Sequence, residues 1–170
     1  MSANLEIKAP VSDPEAFRAR ARALATETVG VDEQLDTYFR VPVGRLKLRE
    51  SSLSGGQLVP YLRPDDDGPR RADYQVIPVA DPGGLKALLA EMLGVHRIVR
   101  KRREIWLHQN VRIHLDAVEG LGDFVELEAV FDGSPTAEAE QQHEVARLMK
   151  QLGVEESELI ATSYEALLPE

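Results

Sequence analysis

Cysteine is absent from this sequence of 170 residues, which excludes disulfide bonds and thiolate-bound metals. Long apolar runs are absent too, and none approaches the ~18 residues that a membrane-spanning helix needs. The first residues, MSANLEIKAP, lack the charged and then apolar pattern of a secretory signal peptide. We therefore expect a cytoplasmic protein that does not associate with a membrane.

Basic residues are in the minority, with 20 Lys and Arg against 29 Asp and Glu, and the net charge is −9. A protein this acidic is a poor partner for the phosphate backbone, so we expect no nucleic-acid binding. The hydrophobic content of 43% is typical of a folded protein. The length suits one domain with a single core, covering residues 1–170.

Capping residues followed by proline predict three helices. These run from Ser12-Asp13-Pro14-Glu15 to about Glu27, from Asp81-Pro82 to Gly94, and from Ser134-Pro135 to Gly153, and a short helical segment is expected within 156–168. Alternating polar and apolar residues predict strands near 3–9, 34–40, 45–51, 57–63, 73–79, 97–108, 111–118 and 123–131. Many short strands with few helices indicate an α+β protein with an antiparallel sheet.

Charged residues recur on one face of most predicted strands, because alternate side chains of a strand share a face. Any one of these strands is better explained as half-buried, with its charged face in water. Taken together, however, the faces are densely ionic and segregated by sign. The positive residues are Lys8, Arg45, Lys47, Arg49, Arg63, Lys101, Arg103 and Arg112; the negative ones are Glu6, Asp116, Glu126 and Glu128. This pattern predicts a basic cavity inside an acidic shell, which suits an anion.

The four carboxylates on these faces allow two interpretations. They form ion pairs with the basic residues, or they bind a hard cation such as Mg²⁺ or Mn²⁺, which prefers oxygen ligands and often shares them with substrate phosphates. Lys and Arg side chains would supply the remaining phosphate contacts.

The same residues resemble the CYTH family, also called triphosphate tunnel metalloenzymes. Its N-terminal Glu-x-Glu-x-Lys motif corresponds to Asn4-Leu5-Glu6-Ile7-Lys8. The similarity continues through 36–39, 44–50, 61–64, 101–103, 112–116, 120–128 and Ser163-Tyr164. The residues of these motifs most resemble those of the class IV adenylyl-cyclase-like branch.

This resemblance implies a closed eight-stranded antiparallel β-barrel with flanking helices, whose tunnel holds a triphosphate and Mg²⁺ or Mn²⁺. It implies metal ligation by Glu6, Asp116, Glu126 and Glu128, with Asp116 either binding metal or orienting a basic side chain. It implies phosphate binding by Lys8, Lys47, Arg49, Arg63, Lys101, Arg103 and Arg112. Catalytic roles are expected for Lys8, Arg49, Lys101, Arg103 and Asp116. A homodimer is expected by resemblance to the cyclase-like branch alone.

Two enzymatic reactions fit these expectations: cyclisation of ATP to cyclic AMP and pyrophosphate, and hydrolysis of an inorganic or organic triphosphate. A third possibility is a non-catalytic polyphosphate- or nucleotide-binding protein, because Asn4 replaces the first motif glutamate and lacks its charge. A lipocalin-like carrier of apolar ligands would instead require the charged faces to point outward.

Overall fold

The computed structural model describes residues 3–61, 70–71, 75–131 and 134–169. Its strands are β1 (Ala3–Pro10), β2 (Glu27–Phe39), β3 (Arg45–Ser51), β4 (Gly55–Tyr61), β5 (Arg70–Arg71), β6 (Ile77–Val79), β7 (Val95–His108), β8 (Val111–Val118) and β9 (Gly122–Phe131). Its helices are α1 (Pro14–Leu24), α2 (Pro82–Leu93), α3 (Pro135–Leu152) and α4 (Tyr164–Leu167), with a 3₁₀ turn at Glu156–Glu158. The α+β class is thereby confirmed.

The three predicted helix starts are confirmed. The Asp13 carboxylate accepts a hydrogen bond from the Ala16 N–H at 3.0 Å, and a proline follows each capping residue. Such caps satisfy backbone donors that the first helical turn leaves free. Helix α1 ends at Leu24, before the expected Glu27, because the chain there enters strand β2.

One antiparallel sheet contains all nine strands in the order β5-β1-β9-β8-β7-β2-β3-β4-β6. Within the described residues the edge strands β5 and β6 pair with β1 and β4 and not with each other. The sheet is curled and barrel-like. Because its edge strands do not pair with each other within the described residues, it is not the strictly closed eight-stranded ring that the family resemblance implied.

Strand β2 is much longer than the expected 34–40. It begins at Glu27 and pairs with β7 through a bulge between Thr28 and Gly30, where Gly30 has a φ of 131°. Glycine tolerates this backbone conformation, which is strained for other residues. The expected strands 57–63 and 73–79 correspond to β4 and β6, but residues 62–63 and 73–74 lie outside the described part of the chain.

The two faces of the sheet differ in chemistry. Helices α1 and α3 cover one face, where Phe17 and Leu148 belong to the same buried core as Ile113, Leu115 and Leu127. The alternate residues of β8 and β9 point to the opposite face, which we call the inner face. His114, Asp116 and Glu126 lie there and are buried. Since the charged residues line the inside of the curled sheet, the apolar-carrier interpretation is not supported.

No helix among the described residues is long and apolar enough to cross a membrane.

Candidate functional site

The first group of charged side chains on the inner face joins β2 to β3. Arg49 lies opposite Asp36 in the strand register and donates two hydrogen bonds to its carboxylate, from Nε and from Nη2, each at 2.7 Å. The Lys47 ammonium lies 3.4 Å from the same carboxylate. We call Asp36, Lys47 and Arg49 the Asp36 cluster. Its two-to-one ratio of cations to carboxylates leaves positive charge available for an anion.

Burial sets the protonation behaviour of the Asp36 cluster. Desolvation would raise the pKa of Asp36, but the charges of Lys47 and Arg49 outweigh it and hold that pKa below its usual range. Desolvation, with repulsion from Arg49, lowers the pKa of Lys47 to about 8 despite the attraction of Asp36. The Lys47 ammonium also lies 5.7 Å and 5.3 Å from the ring centres of Tyr38 and Tyr61.

The second group lies across β7, β8, β9 and β1. Arg103 donates hydrogen bonds of 2.7 Å and 2.6 Å to Asp116 and a further one to Glu126. Lys8 lies 3.4 Å from Glu126, and Lys101 lies 3.8 Å from Asp116. We call these five residues the Asp116 cluster. One arginine therefore bridges two buried carboxylates, and two lysines flank them.

In the Asp116 cluster, too, desolvation and the charges of neighbouring residues shift pKa values in opposite directions. Desolvation and repulsion from Arg103 lower the pKa of Lys101 to about 8, although Asp116 attracts its proton. Desolvation would raise the pKa of Asp116, but Arg103 and Lys101 hold it below its usual range. A bound polyphosphate would favour the charged form of Lys101, as it would that of Lys47.

Tyr164 connects the segment after α3 to the Asp116 cluster. Its hydroxyl donates a 2.8 Å hydrogen bond to Asp116. Its ring centre lies 4.1 Å from the Lys8 ammonium and 5.0 Å from that of Lys101. The backbone N–H of Ile160 donates to the Lys8 carbonyl at 2.8 Å, and Lys8 Nζ donates to the Thr162 carbonyl at 3.3 Å. Residues 160–164 thus form a wall of the site.

A further carboxylate pair lies where β1 faces β9, with Glu6 directly opposite Glu128. Burial, with repulsion from Glu126, raises the pKa of Glu6, although Lys8 attracts its negative charge. A divalent cation would offset the charge of these carboxylates. No three His, Asp or Glu side chains within the described ranges group tightly enough to hold a metal by themselves. A cation such as Mg²⁺, which takes one or two carboxylates and completes its shell with phosphate oxygens, would suit the facing Glu6 and Glu128 side chains.

The structure brings most of the predicted site residues together. Five of the predicted phosphate contacts lie in the two clusters: Lys8, Lys47, Arg49, Lys101 and Arg103. Arg112 lies further out, with 52% of its side chain exposed and its guanidinium 3.4 Å from Glu128. Arg63 and the side chain of Asn4 lie outside the described part of the structure.

Two residues at the centre of the site received no role from the sequence, namely Asp36 and Tyr164. Each lies inside a segment that resembles the family, at 36–39 and at Ser163-Tyr164. The available signal for Asp36 was its place on the same face of a predicted strand as Tyr38, opposite a strand rich in arginine. The contacts of Tyr164 with Lys8 and Asp116 span distant parts of the chain, so no local pattern reveals them.

Comparison with known proteins now defines the class. The family model of the CYTH domain matches residues 2–164, so this chain belongs to the CYTH family, as the resemblance predicted. This family comprises metal-dependent enzymes that act on triphosphates. Adenylate cyclase CyaB of Aeromonas hydrophila is 30% identical to this chain over 173 aligned residues, which cover 96% of this chain and 87% of CyaB.

Solved structures agree with the fold. The PH1012 protein of Pyrococcus horikoshii OT3 superposes with a TM-score of 0.80 at 26% identity, covering 98% of this chain and 99% of that one. A conserved hypothetical protein of Pyrococcus furiosus gives a TM-score of 0.81 at 22% identity, covering 97% and 99% of the two chains. The second likeness bears on the fold alone.

Proposed function

We propose that this chain is a divalent-cation-dependent adenylyl cyclase, which converts ATP to cyclic AMP and pyrophosphate. The carrying observation is the excess of cations within the two clusters, where Lys8, Lys47, Arg49, Lys101 and Arg103 face the carboxylates of Asp36, Asp116 and Glu126, while the Glu6–Glu128 pair lies beside them. Such an excess is costly without an anion. The likeness to CyaB supports ATP as the triphosphate.

The two clusters would bind the triphosphate in different ways. Arg49 and Arg103 stay charged and are held rigidly by Asp36 and Asp116, so they present fixed N–H donors to phosphate oxygens. Lys47 and Lys101, with pKa values lowered to about 8, would regain full charge beside phosphate. In cyclisation the ribose 3′-oxygen forms a bond to the α-phosphorus, the bond from that phosphorus to the oxygen it shares with the β-phosphate breaks, and the hydroxyl proton passes to solvent. The basic side chains would stabilise the charge that develops on the departing pyrophosphate.

The carboxylates would hold the cation. Glu6 and Glu128 lie opposite each other on β1 and β9, and Glu128 also lies 3.4 Å from Arg112. Asp116 and Glu126, also proposed as ligands, accept hydrogen bonds from Arg103. When bound, Mg²⁺ or Mn²⁺ lowers the pKa of the attacking hydroxyl and offsets phosphate charge. A binding-only protein is the alternative, and the observation that favours it is Asn4 in place of the first motif glutamate.

The decisive experiment supplies ATP, thiamine triphosphate and inorganic triphosphate separately with Mg²⁺ or Mn²⁺ and resolves the products. We expect cyclic AMP and pyrophosphate from ATP. Release of orthophosphate without cyclic AMP would replace the cyclase by a triphosphatase. Binding without any turnover would favour the non-catalytic alternative, and Asn4→Glu would then test whether the missing carboxylate is the cause.

Matched variants connect the activity to the site. Lys47→Met removes a buried cation and is expected to weaken triphosphate binding about tenfold, the size of one charge-assisted hydrogen bond. Lys86→Met removes a lysine that pairs with Glu50 away from both clusters, and it should leave binding unchanged. Glu6→Gln should raise the Mg²⁺ concentration needed for half-maximal activity. Equal effects of Lys47→Met and Lys86→Met would contradict the assignment.

A further inference from the structure

Between the two clusters lies an amide that neither of them uses. Gln34 is on the inner face of β2, two residues before Asp36, and its cross-strand neighbours are Lys101 on β7 and Ser51 on β3. Only 8% of Gln34 is exposed. A buried polar side chain in this position is expected to have its hydrogen bonds satisfied.

The orientation of the Gln34 amide is fixed by Asp32. Gln34 Nε2 donates a 2.6 Å hydrogen bond to the Asp32 carboxylate, which also accepts bonds from Ser51 Oγ at 2.7 Å and from Ser52 Oγ at 3.1 Å. An ionised carboxylate accepts and cannot donate, so it selects the NH₂ arm of the amide. The carbonyl arm is therefore directed away from Asp32.

The carbonyl oxygen of Gln34 finds no donor among the described residues. Leaving a buried acceptor without a donor costs free energy, so a ligand that supplies an O–H or N–H group is favoured at this point. Ionised phosphate oxygens accept hydrogen bonds and cannot satisfy another acceptor. The ligand group that contacts the Gln34 carbonyl is therefore a hydrogen-bond donor, which the phosphate chain lacks. This group would lie beside Lys101, the cross-strand neighbour of Gln34.

We propose that Gln34, oriented by Asp32, accepts a hydrogen bond from a ribose hydroxyl and so selects a nucleoside triphosphate over inorganic triphosphate. This rests on the proposed function and names the feature of the substrate that the site recognises. A site built to bond a hydroxyl discriminates strongly against an analogue that lacks it, because its own polar atom stays unpaired. Asp32 acts as a positioning residue, since it holds the amide and does not touch the ligand.

The test measures affinity by titration calorimetry in EDTA, so that turnover does not interfere. ATP, 2′,3′-dideoxy-ATP and inorganic triphosphate are titrated into the wild-type protein and into Gln34→Leu. We expect the variant to bind ATP about tenfold more weakly, the effect of one hydrogen bond to a buried acceptor. The dideoxynucleotide and inorganic triphosphate should bind equally well to both proteins.

Thr37→Val is the matched control. Thr37 lies on the same strand and is 1% exposed, and its hydroxyl also lacks a partner among the described residues, but it points to the opposite face. This variant should bind all three ligands as the wild type does. An equal loss for all three ligands in Gln34→Leu, a loss for both nucleotides alike, or no loss at all would each overturn the ribose assignment. If ATP fails to bind the wild-type protein, both in EDTA and with Mg²⁺, it is the proposed function that fails.

Discussion

The two charged clusters of the inner face differ in how many carboxylates they contain. The Asp36 cluster has one carboxylate for two cations, whereas the Asp116 cluster has two carboxylates for three cations. Through Glu126 the Asp116 cluster also lies next to the Glu6–Glu128 pair. If the proposed function holds, the β2–β3 side would bind phosphate alone, and the side formed by β1, β9, β8 and β7 would bind phosphate together with a cation.

Removal of the central arginine should affect the two clusters unequally. Arg103→Met leaves two buried carboxylates facing lysines at 3.4 Å and 3.8 Å, and we expect a loss of about 3–5 kcal/mol in the free energy of unfolding. Arg49→Met leaves one carboxylate, which keeps Lys47 at 3.4 Å, and the loss should be about 1–3 kcal/mol. Urea denaturation measures both. Equal losses would contradict the proposed asymmetry.

The pH dependence of binding should reflect both lysines with lowered pKa values. The pKa values of Lys47 and Lys101 are lowered from 10.5 to about 8 in the folded protein, so both side chains lose their charge above pH 8. Triphosphate affinity should therefore decline as pH rises above about 8, by up to about tenfold per pH unit for each lysine. Because unfolded lysines keep their protons up to about pH 10, the unfolded chain binds more protons than the folded one between those values, so the free energy of unfolding of the unliganded protein rises with pH across that window.

Calorimetric titrations between pH 7 and 10 would measure this decline. Lys47→Arg keeps a permanent charge in the Asp36 cluster, so the decline should become shallower in that variant. An unchanged slope would show that Lys47 does not contribute to it.

The hydroxyl of Tyr164 should have the smallest of the three effects. Tyr164→Phe removes the 2.8 Å hydrogen bond to Asp116 but keeps the ring beside Lys8, and the expected loss is about 1–2 kcal/mol of unfolding free energy. Tyr164→Leu also removes the ring and should lose more, since the contact with two ammonium groups disappears. Thermal and urea denaturation of the two variants measure the difference. A Phe variant as unstable as the Leu variant would assign the whole effect to the hydroxyl.

Local signals predicted much of the fold. The starts of α1, α2 and α3 follow from a capping side chain and a proline next to each other. Strands β3 and β8 were predicted at their observed bounds, because their alternation of charged and apolar residues has a period of two. The first half of β2 was missed because its residues read as the end of a helix and the beginning of a loop, and Gly30 interrupts the alternation.

The candidate site was predictable as a set of charges, but not as a set of partners. Alternation placed Lys47, Arg49, Arg103 and Asp116 on the charged faces of their strands, and the pattern across strands, with the family resemblance, predicted that these faces point inward. Which arginine binds which carboxylate depends on the register between strands, and that register brings Asp36 opposite Arg49 and Asp116 opposite Arg103. The contact between Tyr164 and Asp116 depends on the path of the chain after α3, where the sequence predicted a short helical segment around 156–168 and the structure has a 3₁₀ turn and one short helix.

The pairing of β1 with β9 has a consequence for how the protein is made. Ala3 lies opposite Phe131, and the Lys8 carbonyl accepts the N–H of Ile160. Contacts between such distant segments form late, because the entropy of closing the intervening loop must be overcome first. During synthesis β1 leaves the ribosome long before its partners exist. The site therefore assembles as one of the last events of folding, and a nascent chain that has not yet reached Tyr164 is not expected to bind triphosphate.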